Sequence, residues 1–251
     1  MGAAAAYHPS WDVETQALVE RAVEAHGGRA RFQSVASIRL TVDSLHGALP
    51  WAKGVGRTFP IPAGIEIWPH QRTTIFHGYP DVDHRGRFVD GAVTLERTSD
   101  GAVLAHGPQH RLSFAGLNKL RRWRPLDALY FFGYALWHYH TVPFDLGAAM
   151  LVQRVRQQGC DGVEVDFPST LPTHSRRQRF FFGPTAAIVR HDYVADVVGF
   201  FARGCHFWLQ HESCDGLLVA RHRRVVFRAF GRPTPITVLE ARFSNVAIVP
   251  A

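Results

Sequence analysis

Turn-forming residues recur at short intervals along most of this chain and divide it into segments of strand length. From Ser37 onwards apolar and polar side chains alternate, with Ile38 and Val42 on one side, as in a strand with one buried face. Parallel strands need a crossover of a dozen or more residues, whereas tight turns join most of these segments. The sequence therefore predicts a mainly β (α+β) fold: a single large curved antiparallel sheet, a half-barrel of about eleven strands, with helices on its concave face. No linker or repeat divides residues 1–251, so we expect a single domain.

The remaining strands are predicted from the same alternation and from the turns between them. Asp90-Gly91 is a strong signal for a two-residue hairpin turn. Residues 98–125 show no clear periodicity and are predicted to be loop or short helix. After the first strand, strands are predicted at residues 53–59, 64–68, 72–76, 85–89, 92–97, 150–156, 163–167, 178–182, 187–194, 206–212, 217–230 and 236–246.

One stretch, residues 126–144, is rich in aromatic rings and has helical spacing. Its opposite face, with Phe131 and Phe132, is apolar as well, and a helix that is apolar all round is buried or inserted in a membrane. About sixteen helical residues with two histidines among them fall short of the roughly twenty needed to span a bilayer. We expect a buried helix over residues 126–142, with Asp127 as its N-cap and an end forced by Pro143. An amphipathic helix is predicted at residues 12–26.

The chain is basic but carries no nucleic-acid signature. Its net charge is +7 and its pI about 9.8, and Lys53 and Lys119 are its only lysines. The arginines stand in short clusters at 121–124, 176–179 and 221–224 without a zinc-finger, homeodomain or RNP-type motif, so solvated strand faces are expected to carry them. We expect no nucleic-acid partner and no stable membrane insertion. Because the opening MGAAAAYHPSWD lacks signal-peptide features, the expected location is cytoplasmic.

Several stretches together carry a resemblance to a known superfamily. A helix ending in EAHGG precedes SVASIRLTV, consecutive antiparallel strands follow, a helical insertion stands in mid-chain, and RQRFFFGPTAAIVRHDYVADV is a predicted hairpin. In this order of elements the chain resembles the lipoprotein-localisation-factor superfamily (LolA, LolB and LppX-type carriers). The resemblance implies a curved half-barrel, lidded by helices, that holds acyl chains or other apolar ligands. More narrowly, FFGYALWHYHTVPF, PTHSRRQRFFF and RHDYVADV look like a group of actinobacterial proteins of this architecture.

Histidine, tyrosine and aspartate side chains around the predicted hairpin are candidate acid–base groups. There the run that contains His174 approaches the run His191-Asp192-Tyr193. His191 and Tyr193 share one strand face and Asp192 takes the other, so the concave face decides which of them line a cavity. A histidine with a pKa near 6.5 is a suitable proton shuttle, and His138 on the helix is a further candidate. The alternative places His191 and Asp192 at the surface as cross-strand partners, with Tyr193 in the core.

The fifteen histidines form no compact metal motif. His138 and His140 are about 200° apart on a helix, and His206 and His211 would point to opposite faces of a strand. Neither GxGxxG nor a Walker loop is present, so we expect no metal and no nucleotide cofactor. A Ser175, His174 and Asp192 hydrolase lacks the GxSxG elbow and is disfavoured.

Aromatic side chains are the more specific signal, because they can line a site for an apolar and even polycyclic ligand. The alternative is that they interdigitate in a dry core. The expected function is binding of an apolar small molecule, lipid-like or polyketide- or terpenoid-like, beneath the helix. The rival hypotheses are a cofactor-independent cyclase, isomerase or dehydratase of specialised metabolism, and a structural protein without a cavity. The oligomeric state is not indicated. The expected ligand contacts are Tyr134, Trp137, Tyr139, Phe180, Phe182, Phe207, Trp208 and His211.

Overall fold

The computed structural model describes residues 11–56 and 60–251. Its helices and strands follow the chain in the order expected for two runs of hairpins separated by one long helix. The helices are α1 (Val13–Ala25), α2 (Gly28–Gln33), α3 (Ala48–Lys53) and α4 (Pro125–Thr141). The strands are β1 (Val35–His46), β2 (Gly64–Trp68), β3 (Thr73–His77), β4 (His84–Val89), β5 (Ala92–Arg97), β6 (Val103–Gly107), β7 (Leu151–Gln157), β8 (Cys160–Asp166), β9 (Arg177–Phe182), β10 (Ile188–Val194), β11 (Arg203–Cys214), β12 (Leu217–Ala229) and β13 (Arg232–Pro250).

All of these strands belong to one antiparallel sheet with the order β6-β5-β4-β3-β2-β1-β13-β12-β11-β10-β9-β8-β7. Consecutive strands therefore lie side by side within β1–β6 and within β7–β13, and the two runs meet where β1 pairs with β13 in the middle of the sheet. The two edges are β6 and β7, and α4 stands between them in the chain. The segment that contains α4 must therefore cross the full width of the sheet, which places this helix over one face.

The sheet is curved around α4. On one side the Thr74 hydroxyl of β3 donates to the carbonyl of Gly133, and on the other side His138 contacts His191 of β10. Six strand spacings of about 4.8 Å would put β3 and β10 about 29 Å apart in a flat sheet. One helix, about 10 Å across, reaches both strands only because the sheet bends towards it. The face towards α4 is thus concave, as the sequence predicts.

Within the described residues the sheet has 13 strands rather than about eleven. The strand predicted at 53–59 is wrong at its start, because Lys53 ends the helix α3, and residues 57–59 lie outside the described residues. Gly54, with φ of +84°, ends α3 in a left-handed conformation. The strand β6 was predicted as loop or short helix. It is an edge strand that buries no side chain fully, so its sequence has no apolar alternation.

The N-terminus of α4 differs from the prediction in its cap. Arg124 is the N-cap residue, and Asp127 stands three residues later, where its carboxylate accepts the backbone N–H of Arg124 at 2.8 Å. Pro125 takes the first helical position, where its missing N–H costs no hydrogen bond. The helix ends at Thr141, just before Val142-Pro143, as expected from the proline.

Close contact between α4 and the sheet depends on Gly133. A Cβ at this position would lie 2.5 Å from the Phe88 Cβ, which is tied to the backbone of β4 and cannot move aside. We expect Gly133→Ala to lower the free energy of unfolding by roughly 1–3 kcal/mol through overpacking, although alanine is the better helix former. Urea denaturation checks this, with Gly147→Ala as control, since a Cβ there meets nothing within 4 Å. Equal stability of the two variants would contradict the close approach.

Candidate ligand-binding cavity

An apolar cavity of about 460 Å³ lies between α4 and the central strands of the sheet. Residues of β1–β3 and β10–β13 line it on the side of the sheet, α4 lines the opposite side, and α3 with the segments 60–62 and 195–202 completes the wall. Its volume falls within the range of about 300–1,000 Å³ that is typical of small-molecule sites. Most lining side chains are aliphatic or aromatic. The titratable side chains of its wall are Lys53, Tyr79, Tyr139, Tyr193, Arg203, His206 and Arg223.

One end of the cavity reaches the protein surface. Leu120, Phe201 and Ile236 are part of its wall and are also exposed to solvent, so they form an apolar rim. Lys53 is part of the same wall, and its ammonium donates to the carbonyls of Lys119 and Arg121 at 2.5 and 3.2 Å. The charge of Lys53 is therefore already engaged with the backbone.

Beyond the inner end of the cavity, α4 packs against a cluster of buried imidazoles from β10 and its neighbours. The rings of His138 and His174 lie 6.0 and 6.4 Å from the ring of His191, and all three are fully buried. The Gln178 amide donates to the carbonyl of Ser175 at 2.6 Å, which turns its oxygen towards the imidazoles. That oxygen accepts from Nε2 of His191 at 2.6 Å and of His138 at 3.3 Å. The proton of each ring is thus assigned to Nε2.

A hydrogen-bonded chain connects this cluster with the cavity wall. The Tyr139 hydroxyl lies 2.5 Å from Nε2 of His174, and the Tyr134 hydroxyl lies 3.0 Å from Nδ1 of the same ring. The ring of His174 also stacks on Tyr193, with centroids 3.9 Å apart. A neutral imidazole has one donor and one acceptor, so it satisfies one tyrosine with each nitrogen. His174 therefore joins two tyrosines of α4 and holds Tyr139 in the wall.

Burial disfavours the charged form of three histidines in this region. It lowers the pKa of His174, His191 and His206 well below the ordinary value, and neighbouring imidazoles act in the same direction, as do Arg111 on His174 and Arg223 on the other two. Burial also raises the pKa of Tyr139 well above the ordinary value. At neutral pH these three histidines and the tyrosine are uncharged, because protonating the rings would place further cations in an apolar interior.

Arg223 is the cation at the inner end of the cavity. Its guanidinium lies over the ring of Trp208 at 4.0 Å and over the ring of Tyr139 at 5.1 Å, and the residue is 3% exposed. Burial lowers its pKa to about 9, so it is still charged at neutral pH. Its Nε and Nη1 have no hydrogen-bond partner, and no carboxylate among the described residues pairs with it. Nearby in the wall, both ring nitrogens of His206 are buried and unpartnered.

The predicted site residues divide between the cavity wall and its surroundings. Tyr139 and Tyr193 lie in the cavity wall. His191 and Tyr193 face α4, whereas Asp192 lies on the convex face in an ion pair with Arg190. The aspartate is thus placed away from the cavity. The others lie outside the wall of the main cavity: His138, His174, His191, Tyr134, Trp137, Phe180, Phe182, Phe207, Trp208 and His211.

Phe207 and Trp208, both predicted as ligand contacts, point to opposite faces of the sheet. Phe207 and Trp208 are consecutive in β11, and consecutive strand residues point to opposite faces. Trp208 is buried under Arg223, and Phe207 is half-buried opposite Arg190 and Arg224 of the adjacent strands. One pocket therefore cannot include both rings.

Arg223 and His206 are buried polar residues of the wall that the sequence does not mark as ligand contacts. A signal for Arg223 was present, since Val225 and Phe227 are lining residues of the same strand at the spacing of alternate positions. An arginine at an apolar position of such an alternation is the unusual feature. The position of Arg223 in this alternation is hard to recognise in the sequence, because its neighbours His222 and Arg224 are basic as well.

Two further features concern the described residues only. None of their helices is both long and apolar enough to cross a membrane. One group, Asp81, Asp83 and His84, brings three possible metal ligands within 4.8 Å of one another, and both carboxylates are exposed. Exposed acidic groups of this kind are common without a bound ion, and this group lies outside the cavity wall.

Comparison with known proteins finds similarity in structure alone. No protein-family model and no curated protein matches the sequence. The chain is similar to a solved DUF1329 family protein from Desulfovibrio piger, with a TM-score of 0.43 and 14% identity, over 93% of this chain and 92% of that chain. It is also similar to a LolA superfamily protein from Nitrosomonas europaea, with a TM-score of 0.47 and 9% identity, over 94% and 93% of the two chains. Both TM-scores are below 0.5, so neither likeness assigns a function to this chain.

Proposed function

We propose that the protein binds an apolar small molecule, lipid-like or polyketide- or terpenoid-like, in the cavity between α4 and the sheet. The observation that carries this proposal is the cavity itself, about 460 Å³ of space with a largely apolar wall. Protein interiors are close-packed, and voids larger than a water molecule are few and costly. A chain that needed only a dry core would fill such a space with side chains.

The exposed rim supports the same proposal. Leu120 and Phe201 belong both to the wall and to the protein surface, so an apolar molecule would meet apolar side chains all the way inward. At about 25 cal/mol per Å² of apolar surface removed from water, such a passage favours transfer of the ligand from solvent.

The cytoplasmic location stays a prediction from the sequence.

A variant that fills the cavity provides the test. Ala241 of β13 lies in the wall and is 4% exposed, so Ala241→Phe places a ring in the space that the ligand would occupy. We expect this variant to bind the neutral fluorescent probe N-phenyl-1-naphthylamine at least about tenfold more weakly than the unaltered protein.

The matched control is Ala247→Phe, which adds the same ring to an exposed position of the same strand. It is expected to bind the probe with unchanged affinity and 1:1 stoichiometry. Circular dichroism establishes that both variants are folded. Unchanged binding by folded Ala241→Phe protein, or no binding by the unaltered chain, would refute the proposal.

The second candidate is a cofactor-independent enzyme, and the chain from Tyr139 through His174 to Tyr134 favours it. That chain connects a hydroxyl in the cavity wall with a buried imidazole, which is an arrangement that can move a proton to or from a bound molecule. The two functions differ in what happens to the ligand. A carrier returns it unchanged, whereas an enzyme of this kind returns an isomer or a dehydrated product.

A further inference from the structure

We propose that the cavity binds a carboxylate amphiphile, whose head group is held by Arg223 and His206 while its apolar chain fills the space beneath α4. This inference rests on the proposed function and adds the chemical class of the ligand. Three features of the inner end carry it: a buried cation without an acid, an adjacent imidazole without a partner, and a wall that is otherwise apolar.

The first step is the isolation of the Arg223 charge. Its neighbours in β12 are all engaged: Arg221 with Glu212, His222 with Glu240 at 2.8 Å, and Arg224 with Thr237. Arg223 points to the face opposite His222 and Arg224, where no described carboxylate pairs with it and the rings of Tyr139 and Trp208 lie against its guanidinium. A buried charge is normally paired, because taking an unpaired ion out of water is expensive. The missing partner is therefore an anion that the described part of the chain does not supply.

The second step is the position of His206. It pairs in register with His191 of β10, and Trp208, two residues further along β11, pairs with Arg223. His206 and Arg223 are thus diagonal neighbours on the concave face of two adjacent strands, within reach of one small group. Both ring nitrogens of His206 are buried without a partner. A neutral imidazole offers one N–H, which would serve the second oxygen of a carboxylate held by Arg223.

The third step concerns the charge of the head group. A guanidinium matches carboxylate and phosphate oxygens equally well in shape. One buried arginine balances a single negative charge, however, and burial keeps His206 neutral, so a phosphate dianion would bring one charge too many. Lys53 does not supply the second positive charge that a phosphate dianion would need, since its ammonium is bound to two backbone carbonyls towards the rim. A monoanionic carboxylate fits this end of the cavity best.

The test compares three probes with the same sixteen-carbon chain at pH 8: palmitate, 1-hexadecanol and hexadecyl phosphate. We expect the unaltered protein to bind palmitate about 10- to 100-fold more tightly than the alcohol, because only the carboxylate completes the ion pair. It should also bind palmitate more tightly than the phosphate. Arg223→Met keeps much of the side-chain volume and should reduce the preference for palmitate to about twofold or less, with hexadecanol affinity retained.

Arg224→Met is the matched control, because it removes one positive charge from the next residue of the same strand on the convex face. It should keep the full preference for palmitate. Removing an unpaired buried cation should also leave the melting temperature of Arg223→Met protein equal or higher, whereas a structural arginine would lower it.

The outcomes separate this proposal from the one on which it rests. Equal binding of palmitate and hexadecanol by the unaltered protein would overturn the carboxylate head group and leave apolar binding intact. Tighter binding of hexadecyl phosphate would assign the site to a phosphate. Failure of every probe to bind would refute the proposed function itself. The comparison of probes on the unaltered chain decides the matter even if Arg223→Met protein fails to fold.

Discussion

Replacement of Asp127 by asparagine is expected to lower the free energy of unfolding by about 2–4 kcal/mol. Asp127 is completely buried at the start of α4, and its carboxylate binds Arg121 at 2.6 and 3.1 Å. It also accepts hydrogen bonds from Nε2 of His110 at 2.9 Å and from the backbone N–H of Arg124. An amide has one acceptor oxygen and no charge, so several of these donors would lose their partner. Because Arg121 is 28% exposed and can regain water, we expect the lower part of the range that applies to fully buried pairs.

The control is Asp100→Asn, where an exposed carboxylate pairs with Arg97 at 2.8 Å. Exposed pairs contribute little, so its stability should change by no more than about 0.5 kcal/mol. Urea denaturation of both variants gives the two differences. A loss for Asp127→Asn no larger than that for the control would show that the cluster around Asp127 does not anchor α4.

The effect of Asp127 should also depend on pH. Burial alone would raise the pKa of this carboxyl group, but the hydrogen bonds from His110, Arg121 and Arg124 outweigh it and hold the pKa well below its ordinary value. A carboxyl group with a depressed folded-state pKa contributes its full stability above its unfolded-state pKa, about 3.9, and loses it as the pH falls further. The stability difference between unaltered and Asp127→Asn protein should be constant from pH 5 to 8 and about 1 kcal/mol smaller at pH 3. An undiminished difference at pH 3 would contradict this account of the carboxylate.

Replacement of Asp192 by asparagine is expected to cost about 3–5 kcal/mol of stability without affecting the cavity. Its carboxylate is 1% exposed and forms two hydrogen bonds with Arg190, at 2.7 and 2.6 Å, while Arg228 lies 3.6 Å away. The variant would leave two arginines, both largely buried, without a counter-charge. Asp192 points away from α4, so the affinity for N-phenyl-1-naphthylamine should be unchanged in folded protein.

Thermal denaturation and probe titration at a temperature well below the transition measure these two effects separately. Asp161→Asn is the control, since this carboxylate is 38% exposed and pairs with Arg154 at 3.2 Å. Loss of binding by folded Asp192→Asn protein would restore the catalytic or ligand-contacting role that the sequence suggests for Asp192. Unchanged stability would show that the convex-face ion pair is dispensable.

Local patterns in the sequence predict much of the fold, because each pattern reports its own surroundings. Alternation from Ile38 to Val42 follows from one buried strand face, and the apolar faces of residues 126–142 follow from a helix covered on all sides. The exposed edge strand β6 has no buried face and so leaves no alternation to detect. The helix α3 is six residues long and contains Pro50, so its pattern is too short to distinguish it from a loop or strand.

The cavity was harder to predict, because it depends on which side chains the curvature of the sheet brings together. The sequence predicts that His191 and Tyr193 share a face, but the register between β10 and β11 decides that His206 lies beside His191. Its aromatic ring makes Trp137 a predicted ligand contact. The Trp137 indole instead donates to the carbonyl of Pro69 at 2.8 Å, and the residue lies outside the cavity wall. The composition shows that aromatic residues are numerous, but which of their rings face the cavity depends on how the helix and the sheet pack.

Native mass spectrometry of freshly purified protein, followed by organic extraction and identification of any bound molecule, tests the central claim most directly. The account predicts a 1:1 adduct with an apolar molecule on the unaltered chain, or its formation after incubation with palmitate, and none on Ala241→Phe protein. Ala247→Phe protein should carry the same adduct as the unaltered chain. An unaltered, folded protein that stays free of adduct after incubation with palmitate, 1-hexadecanol and N-phenyl-1-naphthylamine would contradict the account.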